Sequence, residues 1–247
     1  MGRKELTSTD VKTLVLDSVT LIHDAQRELR LSICPNLKAT GKRLKQGRFI
    51  AQHLHHEKPG AYHMMFGAFD PPDTITLDSN LPFCDWPLDI PDIPNTMAHY
   101  TAIHEVIHAD DHIGGDKTYL ATHEHILRDH MDQLKTGMRI IKENANDDCI
   151  TSPYDLACLW ALQYVDILTH YRSYVVLRHH RFPRLDMVWN RMQNELFPPS
   201  LMTTIERARS MRYIFKKMIE RAGEYCLIDA LKENQNIGER MVIKYTV

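Results

Sequence analysis

Residues 101–116 read TAIHEVIHADDHIGGD, and the pattern His104-Glu105-x-x-His108 within them decides how the rest of the chain is arranged. On a helix, residues four apart share a face with β-carbons about 6 Å apart. His104 and His108 can therefore aim two imidazoles at one cation, while Glu105 is turned enough to reach a water beside it. Zinc takes nitrogen ligands in tetrahedral geometry and lowers the pKa of its water to about 7. A neighbouring carboxylate then accepts the proton as the water attacks a carbonyl. In a chain with 15 histidines so short a motif needs context. The context is present: Ala102, Ile103, Val106, Ile107 and Ala109 are apolar, and no acid, lysine or arginine interrupts residues 97–103. That is expected of a helix buried against a sheet. The competing reading is a histidine-rich helix whose rings are satisfied by hydrogen bonds in the core.

Working outward, Gly114-Gly115 is a strong helix stop, and a second helix is predicted from 116 or 118 towards 143. Upstream, AYHMMFGAFDPPDTITLDSN (residues 61–80) reads as short strands joined by a Pro-Pro-Asp turn. TITL (74–77) alternates at period two and is expected to be an edge strand that aligns an extended peptide. Before it, Val11, Leu14, Val15, Ile22 and Leu29 recur at helical spacing over residues 8–31, with Thr7, Ser8 and Thr9 available as caps. NLKATGKRLKQGR (36–48), acid-free and carrying Lys38, Lys42, Arg43, Lys45 and Arg48, reads as a basic loop.

Beyond the acidic NANDD (144–148), TSPYD (151–155) offers a cap, a proline at the first helical position and an acid in the first turn. A long helix is predicted from there towards 178, then helices near 184–196 and 201–222, and a strand at MVIKYTV (241–247). The expected class is α+β, with a catalytic core over residues 1–148 and a helical C-terminal region over 149–247.

HEVIHA (104–109), followed at a distance by THEHILRDHM (122–131), is similar to the SprT/Spartan-type zincin metalloproteases of minigluzincin-like form. The resemblance covers roughly residues 8–145. It implies a backing helix, a small mixed sheet, an active-site helix and a helix bearing the third ligand. It places that third ligand at His123, an apolar position at Leu127, and a His-Met pair at His130 and Met131. The chain departs from the family pattern where Glu124 replaces a glycine and His125 adds a donor, and no cysteine spacing matches a C-terminal zinc ribbon. Related gluzincins use a glutamate on the same helix, which makes Glu124 the alternative ligand. Asp111 and His112 rank behind both, because three ligands on one straight helix span about 12 Å. Asp111 is better placed to accept an imidazole N–H, or to be a solvated acid near the helix end. Tyr119, His125 and Tyr62 are candidate oxyanion stabilisers.

Weaker signals remain. Gln163, Asp166, His170 and Tyr174 share a face of the long helix, where a polar face or buried network is favoured over an approach to the metal. HLHH (53–56) and RHH (178–180) could bind metals but read better as surface histidines, and His23-Asp24 resembles the dipeptide of HD phosphohydrolases without their partner set in order. Residues 172–221 hold eleven Lys/Arg against four acids, a balance that suits nucleic acid or another polyanion but is favoured as a solvated face or one packed on the acidic half. Five scattered cysteines without CxxC point to reduced thiols. The first ten residues lack a secretory apolar core, and no run approaches the roughly 18 apolar residues of a span. The expectation is a cytoplasmic Zn2+-dependent hydrolase, a metallopeptidase acting on protein or peptide without a membrane partner. Glu105 is its general base, and His104, His108 and His123 are its metal ligands. The alternative is a non-catalytic metal- or polyanion-binding protein on the same fold.

Overall fold

Thr7 and Asp10 close a reciprocal cap, each side chain accepting the other's backbone N–H, and so start α1 (Ser8–Leu29). Val11, Val15, Ile22 and Ala25 lie fully buried along one stripe of it. Each of the larger ones contributes on the order of 1.5–3 kcal/mol by leaving water. The computed structural model describes residues 5–54, 66–80, 92–115, 117–129, 131–144 and 152–189.

The acid-free stretch after α1 is not a loop. It folds as α2 (Leu37–Leu44), because Leu37, Thr40, Gly41 and Leu44 fall on one buried face while Lys38, Lys42 and Arg43 face water. The many cations hide a 3.6-residue period. Gly41 is tight against Val19, since an added β-carbon would lie 3.1 Å from its Cγ1.

Three strands follow: β1 (Arg48–Gln52), β2 (Gly67–Asp70) and β3 (Thr74–Asp78), in the order β1-β3-β2. β1 runs parallel to β3 with Phe49 opposite Ile75, and β2 runs antiparallel to it with Phe69 opposite Ile75. TITL is thus the central strand, correcting the edge-strand expectation. Thr76 and Asp78 are buried along with Ile75 and Leu77, so the polar alternation marks burial on both faces rather than an exposed rim. Among the described strands, the edges are β1 and β2.

α3 (Ile93–Ile113) carries the HExxH pattern and is buried on nearly every side from Thr96 to Asp110. A helix apolar all round belongs inside a fold, and α1, α2 and β2 pack on it. Gly115, at φ +80, ends the segment as predicted. The predicted second helix is described in two parts, α4 (Lys117–Asp129) and α5 (Met131–Asn144). Ser152 and Asp155 exchange backbone N–H bonds at the start of α6 (Pro153–His179), as TSPYD suggests.

By packing, the chain forms two units: residues 1–115 with 169–196, and residues 116–168 with 197–247. Composition instead suggests a cut at 148. The first unit holds α1, α2, the sheet, α3 and the second half of α6. In the second, Ile126, Leu134, Met138, Leu156, Ala157 and Ala161 form a core, with Tyr119, Leu127 and Met131 packed against it. The architecture is α+β, mostly helical, with a small mixed sheet. Residues 185–189 are helical as predicted. The helix predicted at 201–222, the strand at 241–247 and most of the basic C-terminal stretch lie outside the described residues. No helix among the described residues is long and apolar enough to cross a membrane.

Candidate metal centre

One helical turn of α3 brings His104 and His108 together. Their Nε2 atoms converge at 2.9 Å and their rings meet edge-on at 80°. Two nitrogens held tetrahedrally at about 2.1 Å from one ion sit roughly 3.4 Å apart. The rings therefore need to part by only about half an ångström to share a cation. The same separation also serves an N–H···N hydrogen bond, the competing reading of this helix. His104 is buried and His108 half-buried.

Glu105 is 5 % exposed, a depth at which acids are seldom found without partners. Its carboxylate lies against β2. A β-carbon built on Gly67 would come within 2.9 Å of Glu105 Oε1, 2.9 Å of Thr101 Cγ2 and 3.0 Å of Leu77 Cδ2. Only glycine lets the strand approach the helix this closely. Gly67→Ala is expected to cost about 1–3 kcal/mol by overpacking and to displace the Glu105 carboxylate, with urea unfolding as the check.

α6 adds residues that the sequence reading assigned to a polar face or buried network. The His170 ring lies 4.1 Å from that of His104, centroid to centroid. His104, Asp166 and His170 each offer a ligand atom within 4.8 Å of the others, a group that does not include His108. The two units divide inside α6, between Leu168 and Thr169. Asp166 is thus placed by the same unbroken helix that carries His170. Its i, i+4 spacing to His170 is the signal in the sequence, and it repeats that of His104 and His108. Tyr100, nearly fully buried on α3, stacks on His170 and pairs its Oη with Nδ1 at 3.1 Å. Nothing in the motif pointed to Tyr100.

The "DDH" that follows the motif is structural. Asp110 accepts the Asn36 N–H and, at 2.8 Å, the Thr40 hydroxyl, securing the first turn of α2. Burial raises its carboxyl above the usual range, against the lowering effect of these two bonds. Asp111 does not accept an imidazole N–H. Arg172 of α6 grips both its oxygens, with Nη1 at 2.9 Å and Nη2 on the other oxygen. Arg172 also donates to the Ile33 carbonyl at 3.2 Å. Burial works against this guanidinium's charge, but the Asp111 carboxylate more than compensates and raises its pKa. At the helix end Asp111 meets α6 instead of solvent, a contact that rotation angles along one helix cannot reveal. The His112 ring packs on Phe69 of β2. Burial, with Asp110 next in effect, pushes the Cys34 thiol well up.

His123 is buried within the second unit. Tyr119 stacks on it, Tyr154 meets it edge-on, and its Nε2 lies 3.4 Å from Cys158 Sγ. Glu124 is exposed. A hydrogen bond between Tyr119 and Cys158, then burial, push the Tyr119 hydroxyl up to about 12. Tyr62 and the side chain of His125 lie outside the described residues. His179 pairs with Glu28 and His180, just past α6, with the Leu21 carbonyl, both tying the C-terminal end of α6 to α1. His23 sits beside Asp24, both largely in solvent. Of HLHH, only His53 and Leu54 are described. No family model, curated protein or solved structure matches the chain.

Proposed function

We propose that this chain is a zinc-dependent hydrolase, a metallopeptidase with a zincin-like core, in which His104 and His108 hold the metal and Glu105 is the general base. The convergence of the two Nε2 atoms at 2.9 Å beside a buried glutamate carries this reading. Nitrogen donors with a nearby carboxylate suit zinc, a borderline-soft ion. Bound there, zinc would supply Lewis acidity towards a carbonyl oxygen and acidify a water.

The remaining roles belong to the chain. Glu105 takes a proton at its carboxylate and returns it to the leaving amine. Its burial strengthens its electrostatic interactions. The bare backbone of Gly67 lets β2 lie directly against the carboxylate. Among the described strands β2 is an edge, where an extended peptide would add as a further strand. For the third metal position, His123 is the choice that the resemblance implies, with Glu124 as the alternative.

The test is metal content and chelator-sensitive cleavage of an unstructured protein by the purified chain. One equivalent of zinc is expected, with cleavage lost on chelation and restored by zinc. Intact protein without stoichiometric metal would sink the proposal. The second reading, a polyanion binder without turnover, is favoured by the exposed row Lys38, Lys42, Arg43, Lys45 and Arg48. It requires nucleic-acid binding that weakens steeply with salt and no cleavage in the same assay.

A further inference from the structure

We infer that α6 completes the metal site: His170 is the third protein ligand, Asp166 one turn before it is the next donor, and Tyr100 fixes the His170 ring. The inference rests on the metal reading above and names the residues that finish its coordination.

Three observations on different atoms carry it. His170 is 5 % exposed, and its ring lies against His104 at 4.1 Å. His104, Asp166 and His170 place their donor atoms within 4.8 Å of one another. Tyr100 Oη is 3.1 Å from His170 Nδ1 and 3.3 Å from the His170 carbonyl oxygen.

The hydroxyl has one proton. If it donates to the carbonyl, Nδ1 must carry the ring proton and donate to Oη. The lone pair then sits on Nε2, the state a metal-ligating histidine needs. A ligating imidazole usually gives its other N–H to such a partner, which sets tautomer and orientation. Asp166 and His170 are spaced i, i+4 on α6, as His104 and His108 are on α3, so two helices present paired donors. A carboxylate beside three imidazoles is ordinary zinc chemistry. His123 by contrast is enclosed by Tyr119, Tyr154 and Cys158 of its own unit.

The experiment measures Zn2+ affinity of the full chain by competition with a chromophoric chelator, together with the visible spectrum of the Co2+ form. The wild type should bind one equivalent. Tyr100→Phe, which removes only an orienting bond, should weaken binding about 10–100-fold. His170→Ala should weaken it further, with added imidazole restoring part of the loss. Asp166→Asn should shift the Co2+ bands, and His123→Ala should leave both affinity and spectrum as in the wild type. Stoichiometric zinc in the wild type, with His170→Ala and Asp166→Asn unchanged and His123→Ala impaired, overturns the inference and leaves the hydrolase reading standing. A wild type that binds no metal overturns both. If His170→Ala fails to fold, the Asp166→Asn spectrum and Tyr100→Phe affinity decide alone: a shift in both supports the inference, and no change in either overturns it.

Discussion

Glu105→Gln is expected to keep its zinc and lose turnover by about 10²–10⁴-fold, the range that a positioned proton acceptor supplies. Glutamine has nearly the volume of glutamate, so the close approach of β2 at Gly67 is preserved. The amide cannot take a proton, and the loss should fall on kcat. Metal content must be measured on the same preparation, because lost zinc would mimic lost chemistry. Full zinc with undiminished cleavage would remove Glu105 from the mechanism. Zinc without cleavage in either protein would favour the non-catalytic reading.

The second large effect concerns stability. Arg172→Met is expected to destabilise the chain by about 3 kcal/mol, the lower end of the cost of breaking a buried ion pair from one side. The side chain of Arg172 is 10 % exposed and that of Asp111 20 %, so the stranded carboxylate regains little hydration. The Ile33 carbonyl loses a donor as well. Adding Asp111→Leu should recover part of the loss, since the desolvation penalty then disappears along with the attraction. Urea unfolding of both single variants and the double variant gives the coupling. A double variant as unstable as the sum of the singles would mean that the pair contributes no mutual energy. This pair ties α6 to α3 three residues beyond His108, so its loss should also loosen the candidate metal centre.

Local pattern reached α1, α3 and α6 because each carries its own punctuation: Thr7 and Asp10, Gly115, and Ser152 with Asp155. It failed at α2, where Lys38, Lys42 and Arg43 disguised an amphipathic helix. It failed also at β3, whose Thr76 and Asp78 look solvent-facing but lie under cover. Alternation reports side-chain polarity, while strand order depends on partners distant in sequence.

The candidate centre divides the same way. His104, Glu105 and His108 were legible because one helical turn fixes their mutual placement before any tertiary contact forms. The sequence by itself therefore determined a helix able to present two imidazoles and a carboxylate. Only the tertiary structure decided that Asp111 holds Arg172, that Gly67 sits against Glu105, and that His170 and Asp166 come to His104 while Tyr100 orients the ring. Those relations join residues as many as 70 positions apart. They are set by which buried faces pack together, and spacing along a single helix carries no record of that.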